Sequence, residues 1–276
     1  GVCHQNGRGV GHDLGRMREW YGRAADGGHE EARARLEAMA KVLRLYDRAV
    51  GGDDWAMLRL GNHYDPDLEV GRGVVLQDYG EAVMWYQQAA EKGDANAMFN
   101  LGVCYANGRG VDQDYGEAVR WYRQAADKGH ARAMNNLGAC YQNGWGVDQD
   151  WGEAVKWYRQ AAEKGHAAAM FNLGVCHQNG RGVGHDLGRM REWYGRAADG
   201  GHEEARARLE AMAKVLRLYD RAVGGDDWAM LRLGNHYDPD LEVGRGVVLQ
   251  DYGEAVMWYQ QAAEKGDANA MFNLGV

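Results

Sequence analysis

Apolar and polar residues along this chain follow a helical rhythm that recurs at a fixed interval. Between Gly129 and Gly165, Ala133, Leu137 and Tyr141 stand at i, i+4 and i+8, the spacing of one face of an α-helix over 131–143. Gly144 closes that helix as a C-cap, and Gly144-Trp145-Gly146-Val147 makes a tight loop. Asp150 is placed to N-cap a second helix, with Glu153 three residues on in a capping-box pattern. The pattern predicts that this helix buries Ala154, Trp157, Tyr158 and Ala161 and stops at Gly165. Gly138 falls inside the first helix, where glycine costs ~1 kcal/mol relative to alanine. Its counterparts Gly61, Gly102, Gly174 and Gly234 predict that a neighbouring helix approaches closely there.

The same unit returns along the chain. Trp85, Trp121, Trp157 and Trp193 are 36 residues apart, as are the tyrosines that follow them and the Ala-Ala pairs starting at Ala89, Ala125, Ala161 and Ala197. A period of this size marks a solenoid, one elongated domain whose units touch only their neighbours. The expectation is therefore one continuous α-solenoid over residues 1–276. A longer period overlies the first: residues 1–103 recur unchanged as 174–276, an offset of 173. An unedited copy of this length reads as a recent tandem duplication or an engineered chain, and the start at Gly1 in mid-repeat favours engineering.

The regular spacing breaks in two places. From Gly61, the positions equivalent to the mid-helix glycine follow in steps of 41, 36, 36, 36 and 24 residues. The long step holds an expanded loop, Asp65-Pro66-Asp67-Leu68-Glu69-Val70-Gly71-Arg72, read as a tolerated surface insertion ahead of a binding loop. The last full step ends on Glu210 in place of glycine, and residues 203–223 contain neither Gly nor Pro. They are expected to form one long helix, or two nearly fused, at a junction between copies. Met212 would then open a parent sequence of 173 residues.

The stretch AMFNLGVCYANGRGVDQDYGEAVRWYRQAADKGH resembles the Sel1-like repeat family, relatives of tetratricopeptide repeats. The match is almost position for position from about Asp78 to Ala205 and continues with departures over nearly all the rest. The resemblance implies an all-α fold, a solenoid of antiparallel helix pairs in a right-handed superhelix. It also implies a non-catalytic role in assembling other proteins. Some members of that family have cysteine-paired repeats for which enzyme activity has been proposed. This chain has one cysteine per repeat, so that property does not carry over.

Charge and chemistry narrow the reading. The net charge of −8, with both signs interleaved, argues against nucleic acid or an anionic membrane as partner. No apolar run approaches the ~20 residues of a membrane span, and no signal peptide is visible, so the sequence reads as soluble and compatible with the cytoplasm. Cys3, Cys104, Cys140 and Cys176 occupy one repeat position. Packed helices lie ~8–10 Å apart, beyond the ~4.4–6.8 Å between Cα atoms that a disulfide needs. Small buried thiols in a reducing compartment are expected.

His29, His130, His166 and His202 follow glycine at the turns between repeats and read as exposed or capping residues. His4 and His177 replace a tyrosine of the first helix, and His63 and His236 precede it. No zinc-binding spacing occurs. His12-Asp13 and His185-Asp186 have no nucleophile nearby in sequence. Gly7-Arg8-Gly9-Val10-Gly11 is neither a P-loop nor a dinucleotide fingerprint and reads as an inter-helix turn. The expectation is no catalytic residue, no metal and no cofactor.

The remaining candidates are surface residues. Asn100, Asn136, Asn172 and Asn273 recur at one repeat position. Such a row suits the backbone of an extended protein or peptide ligand on a concave face, and it suits hydrogen bonding between stacked helices equally. Asn107, Asn143 and Asn179 precede a C-cap glycine and read as structural. Trp145 stands where Arg109 and Arg181 stand in neighbouring repeats, a candidate contact hot spot. The chain opens with the second half of a first helix and closes with the first half of one. Copies completing each other head to tail, as a filament or closed ring, are therefore a second expected partnership.

Overall fold

The computed structural model describes residues 14–68, 77–241 and 252–275. Among these residues there are fourteen helices and no strand, arranged as consecutive antiparallel pairs, so the fold is the expected all-α solenoid. The chain divides into two compact units, Gly1–Asp150 and Trp151–Val276. The first contains α1 (Leu14–Asp26), α2 (Glu30–Val50), α3 (Asp54–Tyr64), α4 (Tyr79–Glu91), α5 (Ala95–Asn107), α6 (Tyr115–Asp127) and α7 (Ala131–Asn143). The second contains α8 (Trp151–Glu163), α9 (Ala167–Asn179), α10 (Leu187–Asp199), α11 (Glu203–Val223), α12 (Asp227–Tyr237), α13 (Tyr252–Glu264) and α14 (Ala268–Leu274).

The helix boundaries follow from local chemistry. Helix starts leave orphan backbone N–H groups, and a side-chain acceptor two or three residues upstream satisfies one of them. Asp94 Oδ1 accepts from Ala97 N at 2.8 Å, and Asp114 Oδ1 from Glu117 N at 3.0 Å. Histidine takes the same role between repeats. His29, His130, His166 and His202 accept through Nδ1 from the amides of Ala32, Ala133, Ala169 and Ala205 at 3.1–3.3 Å. These histidines are thus structural caps, and Phe99 and Phe171 stack on His130 and His202 at 4.7 and 4.5 Å. Helices α5, α7 and α9 end at Gly108, Gly144 and Gly180 in the left-handed conformation, as expected for a glycine C-cap.

The core explains the mid-helix glycine. A Cβ on Gly61 would sit 2.5 Å from the Tyr86 ring, and one on Gly102 would sit 2.6 Å from the Tyr122 ring. Gly174 faces Tyr194 and Gly234 faces Tyr259 in the same way. The close approach anticipated from sequence is that of one aromatic ring against a bare stretch of the preceding helix. These tyrosines are the fixed element of the core: Tyr21, Tyr86, Tyr122, Tyr158, Tyr194 and Tyr259 are all buried.

The tryptophans beside them are not uniformly core. Trp85, Trp121 and Trp258 are buried, Trp157 and Trp193 are half-buried, and Trp20 is exposed. Their ring neighbours differ. Trp85 and Trp258 meet the edges of Tyr46 and Tyr219 at 5.7 and 5.6 Å, whereas Trp20 and Trp193 are covered by the guanidinium groups of Arg23 and Arg196.

Both stretches without glycine or proline form single uninterrupted helices of 21 residues, α2 and α11. The described part of the expanded loop, Asp65 to Leu68, is tied down. Gln77 Nε2 donates to the carbonyls of Asp65 and Leu68 at 3.0 and 2.8 Å. The Tyr86 hydroxyl lies 3.0 Å from both Asn62 Oδ1 and Asp65 Oδ2. Tyr79 donates to Asp67 Oδ1 at 2.8 Å, and Arg109 pairs with Asp67. Residues 69–76, which include the rest of that loop, and Cys3, His4, His12, Asp13 and the glycine-rich turn at 7–11, lie outside the described residues.

Candidate functional site

The loop between paired helices is built to touch the previous repeat. Gly110 has φ +70°, and a Cβ there would collide with the Tyr79 carbonyl, so only glycine lets the loop lie against the first turn of α4. Next to it, the Arg109 guanidinium sits 5.7 Å from the Tyr79 ring centroid. Arg181 sits 5.0 Å over Trp151 in the second unit. Trp145 fills the equivalent position, and its ring stacks on Tyr115 at 5.6 Å with an interplanar angle of 20°. The cation–π contact of the other repeats is here an aromatic stack, and Trp145 stays 45% exposed.

Trp145 forms one wall of an open cleft of ≈ 300 Å³ among α5, α6 and α7. Asn136, Tyr115, Tyr122 and Cys140 line the rest of it with the ends of α5. Asn136 lies within hydrogen-bonding reach of Tyr122, and burial raises the Tyr122 phenol to about 12. Asn136 Oδ1 also accepts from Asn135 Nδ2 at 3.5 Å. Of the expected site residues, the structure brings Asn136 and Trp145 together.

The other asparagines are more deeply committed to packing. Asn100 Nδ2 donates to Asn62 Oδ1 at 3.3 Å, and Asn273 Nδ2 to Asn235 Oδ1 at 3.4 Å. Each acceptor also holds the hydroxyl of the core tyrosine, Tyr86 or Tyr259, at 3.0 Å. Asn172 is half-buried and likewise engaged. Asn107, Asn143 and Asn179 donate to the carbonyls of Val103, Ala139 and Val175 at 2.8–3.0 Å, the structural role expected of them.

The chemistry-bearing side chains are quiet. Cys104, Cys140 and Cys176 are free and buried, and burial raises their thiols to about 12, about 11 and about 11. Asp186 caps α10 through the Arg189 amide at 2.9 Å, a bond that holds its carboxyl below the usual range. Among the described residues, no group of three or more His, Cys, Asp or Glu side chains is placed to hold a metal ion. No helix among them is long and apolar enough to cross a membrane.

A family profile for the Sel1 repeat matches residues 1–29, 56–94, 95–130, 131–166, 167–202 and 229–267. The chain belongs to the Sel1 repeat family. Among solved structures, it is similar to a protective antigen of uropathogenic Escherichia coli strains that displays an SLR fold, with 28% identity and a TM-score of 0.59. That similarity covers 99% of this chain and 62% of the antigen, so the chain spans less than two thirds of that protein's length. It is also similar to a Sel1 repeat protein from Oxalobacter formigenes, with 30% identity, a TM-score of 0.52, and coverage of 86% and 88% of the two chains. No curated protein sequence matches this chain.

Two features of these Sel1 repeats escaped the sequence reading. In the fifth matched repeat, His177 and Gln178 are buried side by side. Gln178 Oε1 accepts from the Tyr194 hydroxyl at 2.6 Å and from Arg208 Nη1 at 3.3 Å. Neither ring nitrogen of His177 has a side-chain or backbone hydrogen bond among the described residues. The other feature is the segment between the first two profile matches, where Trp55 stands 48% exposed between two arginines. Trp55 and Arg59 lie four residues apart and are exposed, while Ala56 and Leu60 beside them are buried, so the helical period did carry that signal.

Proposed function

We propose that this chain is a non-catalytic scaffold that binds a polypeptide segment of a partner protein, with the Trp145 cleft as a contact centre. One observation carries the reading: a half-exposed tryptophan stacked on a tyrosine over an open cleft, with the Asn136 amide in its wall. Aromatic residues with this exposure dominate protein-binding energetics, because a rigid ring buries much surface at small entropic cost. Asn136 is the member of the asparagine row we assign to the cleft, since Asn100 and Asn273 spend their amides on Asn62 and Asn235. The non-catalytic part rests on the roles of the reactive groups. The described cysteines are buried with raised pKa values, and the inter-repeat histidines use Nδ1 to cap helices.

Peptides selected by display on the immobilised chain provide the test. Their affinities are then measured by titration against wild type and Trp145→Ala. The reading expects saturable binding that falls by about tenfold or more in the variant, the size of a hot-spot truncation, with unchanged helicity. Selected peptides whose affinity is indifferent to Trp145 would contradict it.

A further inference from the structure

We propose that the groove between α2 and α3 is a second binding site, specific for an acidic peptide segment, and that α11 and α12 carry its duplicate. The proposal rests on the scaffold reading and adds the chemistry of a ligand. The groove encloses ≈ 430 Å³ and is lined by Lys41, Arg44, Arg48, Trp55, Arg59 and His63, with Leu45 at its base. No carboxylate is among the lining residues described. In a chain of net charge −8, this is a local concentration of one sign against the global balance.

The arrangement leaves the cations available. Trp55 lies between two guanidinium groups, with Arg48 at 5.0 Å and Arg59 at 5.5 Å from its ring centroid. A guanidinium stacked on a ring keeps its in-plane N–H donors free for a carboxylate. Asp53, bonded to Arg48 Nε and Nη2 at 2.8 and 2.5 Å, fixes that side chain and also caps α3 through the Ala56 amide at 3.0 Å. Among the described residues, Lys41, Arg44 and Arg59 have no acidic partner, so their charge is unspent. Carboxylates of a ligand would meet these three groups, while its apolar parts would lie on the exposed edge of Trp55 and on Leu45.

The constellation occurs twice. Lys214, Arg217, Arg221, Trp228, Arg232 and His236 repeat the six positions in the second unit. Arg221 and Arg232 lie 5.1 and 5.4 Å from the Trp228 ring centroid, Trp228 is 48% exposed, and Arg221 is held by Asp226. An acidic peptide fits better than a nucleic acid. A short peptide needs only the groove, whereas a phosphate backbone running beyond it would meet the net negative surface.

The test uses the full chain and a fluorescein-labelled poly-glutamate peptide, followed by anisotropy and by calorimetry. Expected are saturable binding, two peptides per chain, and affinity that falls with added salt. Trp55→Ala with Trp228→Ala should weaken binding by about tenfold, and Arg44→Glu with Arg217→Glu should abolish it. All four positions are exposed, so helicity should be retained. Weak, unsaturable binding, or binding that these variants leave unchanged, overturns the proposal. So does tighter binding of a short single-stranded oligonucleotide to the same groove. If poly-glutamate fails while display-selected peptides still depend on Trp145, this inference falls and the scaffold reading stands. If both fail, both fall.

Discussion

At the scale of single residues, the mid-helix glycines invert the usual expectation. In an exposed helix, Gly→Ala stabilises by up to ~1 kcal/mol. At Gly102 the added methyl would meet the Tyr122 ring at 2.6 Å. Gly102→Ala should therefore destabilise by ~1–3 kcal/mol, the range for overpacking a tight core, as read by chemical unfolding. Gly195 in α10 has nothing within 4 Å of the same point, so Gly195→Ala should stabilise by ~0.5–1 kcal/mol. Equal signs for the two substitutions would refute this account of the core. His177 makes a pH prediction. Burial pushes its pKa below the ordinary histidine value, while Gly184 and Asp186 nearby pull the other way and Arg189 and Arg159 reinforce the drop. The folded chain then binds this proton less readily than the unfolded chain. Its contribution to stability is complete above the unfolded pKa of ~6.5 and is lost as pH falls below that value. His177→Tyr, which restores the residue found at Tyr105 and Tyr141, should remove that acid-sensitive part of the unfolding free energy. The importance of Gly102 was legible from its period. Its cause was not, because only packing reveals that a ring rather than a backbone fills the space.

At the scale of the element, one repeat is specified almost wholly by caps and one apolar face. Asp94, Asp114 and Asp186 each satisfy an orphan amide at a helix start. Asp94→Ala, which removes the N-cap of α5, should cost ~1 kcal/mol in thermal unfolding. The N-cap pattern read at Asp150 recurs 36 residues away at Asp114 and Asp186, because capping chemistry is local, whereas the cap at Asp94 went unread. The sequence located the glycine ends of α5, α7 and α9 for the same reason. It was less successful with the tryptophans. Trp20 and Trp193 share the local pattern of Trp85 yet lie beside Arg23 and Arg196 rather than a tyrosine edge. Burial at that position depends on a neighbouring element, which no local pattern encodes. The asparagine row shows the same limit. Spacing identified Asn100 and Asn273, but only the partners Asn62 and Asn235 show that these amides brace core tyrosines. The described thiols are a further consequence of element packing. With pKa values raised to about 11 or 12, Cys104, Cys140 and Cys176 should resist alkylation at neutral pH until the chain unfolds. Fast labelling of the native chain at any of the three would contradict their placement.

At the scale of the molecule, the Sel1 repeat architecture uses much of the chain's distinctive chemistry for structure. Histidines and aspartates cap helices, tyrosines fill the gaps left by glycines, and the described cysteines are sealed in the core. The sites we propose for binding are what remains on the surface: Trp145 above its cleft, and the arginine-flanked Trp55 and Trp228. This division explains why the fold could be read from periodicity, while Trp145 stood out only as a departure from its repeat and Trp55 and Trp228, outside the 36-residue pattern, did not stand out at all. A 36-residue repeat reports what all copies share, and a binding surface is made where one copy departs from the rest. The most direct test of the scaffold claim is a hydrogen-exchange footprint of the chain saturated with a display-selected peptide. The account predicts added protection confined to the segments that build the Trp145 cleft: the end of α5, the start of α6, and α7 with its following loop. Saturated binding with protection elsewhere and none around Trp145 would contradict it.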